Sequence, residues 1–487
     1  MINGKSYVIA PKQLPDMEAV KLNNGAYLNW YSPLHVAVSK DKRFVLVGDC
    51  WSVKKDEVPS DYISKTDSLS ADDILKRENY WCGRYILILD DSVYPDASGT
   101  MSVFYNDSYA SNSLNLLREL MGLKLKNEKL RDGLSPDFVP GTQTQYDGIK
   151  RLLPSMVYDL KTKAVTLRTL LPEFPCDFPA EEDRIKAFVD EFAQGLKNLD
   201  EFYKGKTKLI ACTGGRDSRC VTAVSEYAGL RYDAFTLEHD TISSADVDIP
   251  VRMTEALGRK HYYLKKDRSR FSKDRLRDFD LHLCNYEKGP DRVFFGCGQF
   301  EELKQKANND IVLLRGSVWE VASDFYGKEI GSYSSDIASL FPLIRSNSRY
   351  EASINEWVQF AENDRQNQYL KKIDRIYWDL REGCWLATIE HAFDLYDGII
   401  SAQPLNCRRL ITLLLGFDAE ERRKKLHEEK ITQAACPALG GIPYDYQIKS
   451  AAASSALHIY GQYAKKAGWL LFNYGPGSVL TFIKNKA

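Results

Sequence analysis

Six consecutive residues, Thr213-Gly-Gly-Arg-Asp-Ser218, follow directly on the apolar run Leu209 to Cys212 and gather two hydroxyls, two glycines and a carboxylate in one turn of chain. That set suits a pyrophosphate. Gly214 and Gly215 let the backbone turn tightly and approach a ligand, while Thr213 and Ser218 carry hydroxyls that can donate hydrogen bonds. Asp217 beside phosphates would be repulsive unless a divalent cation lay between them, so its presence argues for magnesium. Arg216 and Arg219 flank it, and either could grip a phosphate or a carboxylate bidentately. The competing reading is a strand-to-helix turn rich in small residues.

The surrounding elements must place this turn at a ligand. Leu209 to Cys212 predicts a buried strand, and Ser218 to Ala228 a helix closed by Gly229, so an anion would sit on unpaired N–H groups at the positive end of the helix dipole. Tyr232 to Glu238 reads as the next strand, Asp246 to Leu257 as a helix capped by Gly258, and His261 to Leu264 as a third strand. Strands separated by single helices predict a parallel sheet with ligands at the strand C-terminal ends. Gly205-Lys-Thr207 is not a Walker A ending, because position 200 is Asp where that motif needs glycine.

The six-residue turn resembles the S-G-G-x-D-S signature of the ATP pyrophosphatases, with threonine in place of the first serine. The stretch from Phe235-Thr-Leu237 through Asp246-Val-x-Ile-Pro-Val-Arg252 to Ala256-Leu-Gly-x-x-His261 is similar to the asparagine synthetase family. The resemblance implies cleavage of ATP between its α- and β-phosphates, with backbone groups at Thr236 and Leu237 contacting adenine. It also implies a carboxylate after the strand at Ile311 to Leu314. There Gly316 matches the first glycine of the family's G-x-G-x-D-E, Val318 replaces the second, and Glu320 falls at the aspartate, where it would join Asp217 on magnesium. Further on, Pro404-Leu-Asn406 matches only part of E-x-R-x-P-F-L-D. Ile400 stands at the family glutamate and Ala402 at the arginine, which implies a different acceptor or a base from elsewhere, such as Glu390 or Asp394. Lys430 and Lys449 are candidate cations for transition-state charge, weighed against solvated helix lysines.

The first 165 residues read as short strands with turns at Gly, Asp, Asn and Pro, in the order of the class II glutaminase domain that precedes asparagine synthetase modules. That domain needs an N-terminal cysteine whose own α-amine is the base. Position 2 is Ile, and Cys50, in the second or third strand, has no free α-amine. Glutamine hydrolysis is therefore not expected. The seam falls at Leu171 to Pro179, giving a mostly β (α+β, Ntn-hydrolase-like) domain over 1–170 and an α/β parallel-sheet domain over 180–487, whose leading helix begins at Ala180.

Lys and Arg number 66 against 67 Asp and Glu, a balance that does not suggest nucleic-acid binding. The runs Lys260 to Arg277 and Arg422 to His427 read as solvated faces. Neither the ten cysteines nor the seven histidines fall at metal-cluster spacing. No leader is evident, and the apolar stretch Trp469 to Ile483 is too interrupted to span a bilayer, so a cytoplasmic location is expected.

The expectation is an ATP- and Mg2+-dependent amide ligase that adenylates a small-molecule carboxylate and passes the acyl group to an amine: ammonia, an amino acid, or an amine within the same substrate. A catalytically idle nucleotide-binding scaffold, favoured by Val318, Ile400 and Ala402, is the alternative from another class. RNA-base adenylation or sulfur transfer is weakened by the neutral charge and the missing catalytic cysteine pair.

Overall fold

The computed structural model describes residues 5–65, 69–124, 139–171, 180–238, 242–266, 298–327, 330–334, 337, 348–394 and 396–447. Lys449, most of the proline seam, part of the basic run from Lys260 and the stretch 469–483 lie outside them.

The first half contains β1 (Tyr7–Ala10), β2 (Glu18–Lys21), β3 (Tyr27–Trp30), β4 (Val36–Val38), β5 (Phe44–Ser52), β6 (Trp81–Leu89), β7 (Ser92–Pro95), β8 (Val103–Tyr105), β9 (Ala110–Ser111), β10 (Lys150–Leu152), β11 (Met156–Asp159) and β12 (Val165–Leu167). They pair antiparallel in two sheets, ordered β10-β8-β9-β1-β3-β2 and β12-β11-β7-β6-β5-β4. Alternation along each strand decides which side chains meet. Tyr7 and Ile9 of one sheet share a core with Val45, Val47, Ile86 and Ile88 of the other. The intervening Val8 and Ala10 pack on α3 (Leu114–Leu120). Leu46 and Leu87 pack on Ile63 of α1 (Pro59–Lys65) and Ile74 of α2 (Ala71–Glu78). The result is four layers: helix, sheet, sheet, helix. Cys50 lies in β5, not in the second or third strand, and burial followed by the Glu78 charge pushes its thiol well up.

The second half opens with α4 (Glu181–Phe202), whose three acids in the first turn suit the helix dipole. Its apolar stripe, Ile185, Phe188, Val189, Phe192, Leu196 and Leu199, faces the core. β13 (Thr207–Ala211), α5 (Asp217–Tyr227), β14 (Asp233–Leu237), α6 (Ala245–Leu257), β15 (His261–Leu264), α7 (Gln299–Ala307), β16 (Ile311–Leu314), α8 (Ser348–Glu362) and α9 (Lys372–Ile376) follow. A ten-residue π-helix, Tyr377–Leu386, leads into α10 (Ala387–Phe393), β17 (Ile399–Ala402), α11 (Arg408–Leu415), α12 (Ala419–Arg423), α13 (Leu426–Ala435) and α14 (Pro437–Gly440). The five strands form one parallel sheet, ordered β15-β14-β13-β16-β17. The expected βαβ units are thus present, with Gly258 in the left-handed conformation at the end of α6. Ile400 and Ala402 are residues of the edge strand β17, paired beside Val312 and Leu314.

The chain leaves β13 toward β14 on one side and returns to β16 on the other, which makes the C-terminal end of β13 the switch point of the sheet. The sandwich abuts this rim from the π-helix side. A Cβ on Gly383 would stand 2.4 Å from Pro154 Cδ, so only glycine fits there. Asn406 donates from its amide to Gly83 O (2.6 Å) and Asp96 Oδ1 (2.8 Å), tying the two halves through buried polar groups. Among the described residues, no helix is long and apolar enough to cross a membrane.

Candidate functional site

The turn between β13 and α5 sits at that switch point, and its residues are brought together as expected. Thr213 donates its N–H to Ser218 Oγ (3.2 Å), and Gly215 donates to Thr213 Oγ1 (3.4 Å). Gly214 donates to Asp246 Oδ1 (3.2 Å), while Asp445 donates its N–H to Gly214 O (3.1 Å). Three amides of the turn are therefore held by side-chain oxygens, the kind of acceptor a phosphate oxygen can replace. A Cβ on Gly214 would lie 2.9 Å from Ala245 O and 3.0 Å from Asp445 Cβ, so close approach fixes that glycine. Gly316 has the same role from β16: a Cβ there would stand 2.8 Å from Ser218 N and 3.0 Å from Asp217 C.

Asp217, in the first turn of α5, meets a residue that the sequence reading passed over. Lys425 Nζ stands 2.8 Å from Asp217 Oδ1 and 3.8 Å from Glu428 Oε1. Burial pushes the Asp217 carboxyl up, but the Lys425 ammonium and a hydrogen bond shared with the Glu428 acid together outweigh it and hold the group below the usual range. Glu428 is fully buried, and burial followed by the Asp217 charge drives its carboxyl well up. No described donor reaches either of its oxygens. His427, 3.9 Å away, is kept neutral by burial, its pKa lowered to about 3. The basic run from Arg422 is thus a partly buried cluster and not a solvated face: Arg422 itself pairs with Asp374 at 2.8 Å in the interior. No pattern signal could have found Lys425 or Glu428, because nothing in their spacing predicts that α13 packs beside α5.

The two loop arginines separate. Arg216 donates to Glu429 Oε1 (2.6 Å) and lies over the Tyr446 ring at 4.0 Å, at the margin of the turn. Arg219 is fully buried and donates to Ile442 O (2.5 Å), Pro443 O (2.8 Å) and Leu439 O (3.3 Å). The expectation that Arg219 grips a phosphate does not match this placement, since its guanidinium is committed to main-chain carbonyls in and just after α14. Lys430 points toward Glu181 (2.5 Å) and Glu421 (2.9 Å) on a half-exposed face, which matches the solvated-lysine reading. Thr236 is buried at the end of β14, its hydroxyl donating to Cys212 O (2.7 Å), and Leu237 follows. Pairing with β13 ends at Ala211–Phe235, so β14 continues past the turn on that side.

Beyond β16, Val318 adopts φ 73°, the left-handed backbone that glycine would take most readily. The glycine conformation is kept although the residue is valine. Glu320 follows in the turn Trp319–Ala322 and accepts a hydrogen bond from the Tyr377 hydroxyl. Among the described residues no three His, Cys, Asp or Glu side chains form a closed cation cage. A magnesium ion bound mostly by water and phosphate needs only one or two carboxylates, and Asp217 fits that need: it sits beside the loop amides and already faces a cation.

The proposed bases are committed elsewhere. Glu390 is paired with Arg315, and Asp394 receives Arg84 at 3.0 and 3.2 Å. Burial raises the Asp394 carboxyl, but Arg84 and His391 together outweigh it and hold the group far below the ordinary range. Held that way, Asp394 does not suit proton uptake near neutral pH. Glu382, in the π-helix, is placed differently: it is 2% exposed, and no described donor reaches its Oε2. Burial, followed by the Glu320 charge, lifts its pKa to about 8. The Tyr377 hydroxyl is raised by burial and then by the Glu382 and Glu320 charges, which marks all three as neighbours. A cleft of about 830 Å³ lies at the far end of the sandwich, lined by Arg43, Asp90, Asp107 and Lys161 among others. Volume and chemistry disagree here, and the perturbed carboxyls and glycine turn decide for the parallel-sheet rim.

No protein-family model matches the chain, and no curated protein matches it. Among solved structures it is similar to a glutamine-dependent NAD+ synthetase from Acinetobacter baumannii in complex with ADP, at 13% identity over 32% of this chain and 29% of that one, TM-score 0.20. It is similar to an NMN synthetase from Francisella tularensis at 17% identity over 28% and 54% of the two chains, TM-score 0.19. A U34-tRNA thiolase from Methanococcus maripaludis, solved with its [4Fe-4S] cluster, aligns at 13% identity over 62% and 78%, TM-score 0.25. The chain thus spans 29% and 54% of the lengths of the first two. Scores this low settle neither the fold nor the activity.

Proposed function

We propose that the protein is an ATP-dependent, AMP-forming carbon–nitrogen ligase. The observation that carries this reading is the Thr213–Ser218 turn at the switch point of a parallel sheet, with amides held by replaceable side-chain oxygens and Asp217 at the start of α5. In this reading the turn's N–H groups and the hydroxyls of Thr213 and Ser218 bind the β- and γ-phosphates, and the β14 backbone at Thr236 and Leu237 borders the adenine. Asp217 would hold magnesium, which when bound supplies charge neutralisation for the pyrophosphate. An oxygen of the substrate carboxylate attacks the α-phosphorus, the bond from that phosphorus to the β-phosphate bridging oxygen breaks, and pyrophosphate leaves. The amine nitrogen then attacks the acyl carbon, the acyl–oxygen bond to AMP breaks, and Glu382, in the fraction ionised as pH approaches 8, takes the amine proton. Preorganised donors at the departing charge are the largest contribution such a site can make.

The sandwich over 1–170 is read as the shape of a glutaminase domain without its nucleophile, a reading that the helix–sheet–sheet–helix layering supports. The 180–487 segment carries the ligase chemistry.

The test is a screen of carboxylate and amine pairs with the full chain, reading pyrophosphate and AMP. A true pair should release both in equal amounts, and Asp217→Ala should cut the rate by about a hundredfold or more. Full pyrophosphate release by Asp217→Ala would end the proposal. Dependence on one added substrate marks a cyclase, on two an intermolecular ligase. A nucleotide-binding scaffold is the second reading, favoured by Ile400 and Ala402 sitting as apolar strand residues in β17. It predicts ATP binding without AMP from any pair.

A further inference from the structure

The carboxyls around Asp217 are arranged in a way the nucleotide site alone does not explain. Asp217 and Glu428 lie on α5 and α13, and a single ammonium, Lys425, stands within ion-pair distance of both, at 2.8 and 3.8 Å. Glu428 is 0% exposed, and as a carboxylate it receives no hydrogen bond at either oxygen from any described donor. Its other basic neighbours are unavailable. His427 is neutral, with Nε2 at 3.9 Å, and Arg216 is bound to Glu429. An ionised carboxyl buried without a donor is costly, and only a cation between Asp217 and Glu428 would let both carboxyls ionise side by side.

Lys425 is built to leave. Its backbone is left-handed, with φ 54°, at the residue before α13, and its side chain keeps 23% of its surface in solvent. An ammonium is a compact charge on a flexible stem and satisfies an anion without fixed geometry.

We propose that Asp217 and Glu428 form the protein half of a divalent-cation site, with the Lys425 ammonium as the occupant that a hard, oxygen-seeking ion displaces. The proposal rests on the nucleotide reading of the Asp217 turn and changes it in one respect: the second carboxylate comes from α13, whereas Glu320 is engaged by Tyr377. Two carboxylates with open positions for water or phosphate oxygen suit Mg2+ or Mn2+. The displaced ammonium is then free to meet phosphate.

The test uses the nucleotide-free full chain and Mn2+, with the free ion followed by electron paramagnetic resonance. The wild type should bind Mn2+ weakly. Lys425→Met should bind about tenfold tighter or better, because it removes the competing charge, and Lys425→Arg should stay weak. In the Lys425→Met background, Glu428→Gln should weaken binding about tenfold, whereas Glu320→Gln should leave it unchanged. Circular dichroism and thermal melts confirm that each variant is folded, and Lys425→Gln replaces Lys425→Met if that variant is not. The proposal is overturned if removing the ammonium does not tighten binding, if Glu428→Gln has no effect, or if Glu320→Gln abolishes the site. Because no nucleotide is present, Mn2+ binding without any AMP formation would sink the ligase reading alone. AMP formation with unaltered Mn2+ affinities would sink this one alone.

Discussion

Asp96 in the sandwich and Glu382 at the parallel-sheet rim are both buried carboxyls, yet their surroundings are opposites. Asp96 accepts hydrogen bonds from the N–H groups of Ser98 (3.1 Å), Thr100 (2.9 Å) and Met101 (2.8 Å), from the Thr100 hydroxyl (3.0 Å) and from the Asn406 amide (2.8 Å). Glu382 has an oxygen that no described donor reaches, and it stands against Glu320. A buried acid that is fully hydrogen-bonded is architecture, while one left open is where a proton, an ion or a substrate is expected. The same contrast separates Cys50, sealed in β5, from Asp217 on its turn.

Four substitutions would break or sharpen this contrast. The largest effect is expected for Asp96→Ala, which leaves several buried donors unpaired and should cost about 3 to 5 kcal/mol in denaturant unfolding. A loss near zero would remove the distinction between the two kinds of acid. Gly316→Ala comes next: the added methyl meets Ser218 N and Asp217 C, so it should cost about 1 to 3 kcal/mol by overpacking and weaken ATP binding with it. Unchanged nucleotide affinity in a calorimetric titration would mean that α5 can shift without harm to the turn.

Glu382→Gln tests the open acid by its pH dependence. The folded group holds its proton up to about pH 8, whereas an unfolded glutamate loses it near 4.5. The proton-linked contribution is therefore complete below about 4.5 and is lost as pH rises through 8. Relative to wild type, the variant should gain roughly 2 kcal/mol between pH 6 and 8, and parallel melting curves across that range would contradict the raised carboxyl. The smallest change is expected for Lys430→Ala. Its partners Glu181 and Glu421 lie at a half-exposed face, so stability should move by less than about 0.5 kcal/mol. Pyrophosphate release should be unaltered, and a marked loss would return Lys430 to the reacting centre.

The parallel sheet was legible because its signals are local. Apolar runs, a glycine turn and the cap at Gly258 each act within a few residues, and the strand His261–Leu264 has the bounds its residues suggested. The site was legible only where one turn of chain supplies it. Lys425, Glu428 and Glu382 come from helices distant in sequence, and their role depends on burial and on absent donors, which no spacing encodes. Arg219 misled for the same reason: beside a phosphate turn it reads as an anion grip, but the carbonyls of residues 439, 442 and 443 fold back onto it. Val318 misled differently, since the backbone conformation outlived the glycine that would suit it.

The contact between Pro154 and Gly383 gives the sandwich a task that needs no chemistry of its own. Glu382 is the neighbour of that glycine on the π-helix, so the proline ring acts as a stop against which the proton-bearing turn is set. A bulkier residue at either position would displace the acid without touching it, so the sandwich bears on the acid's placement even if only one half of the chain ever meets a substrate.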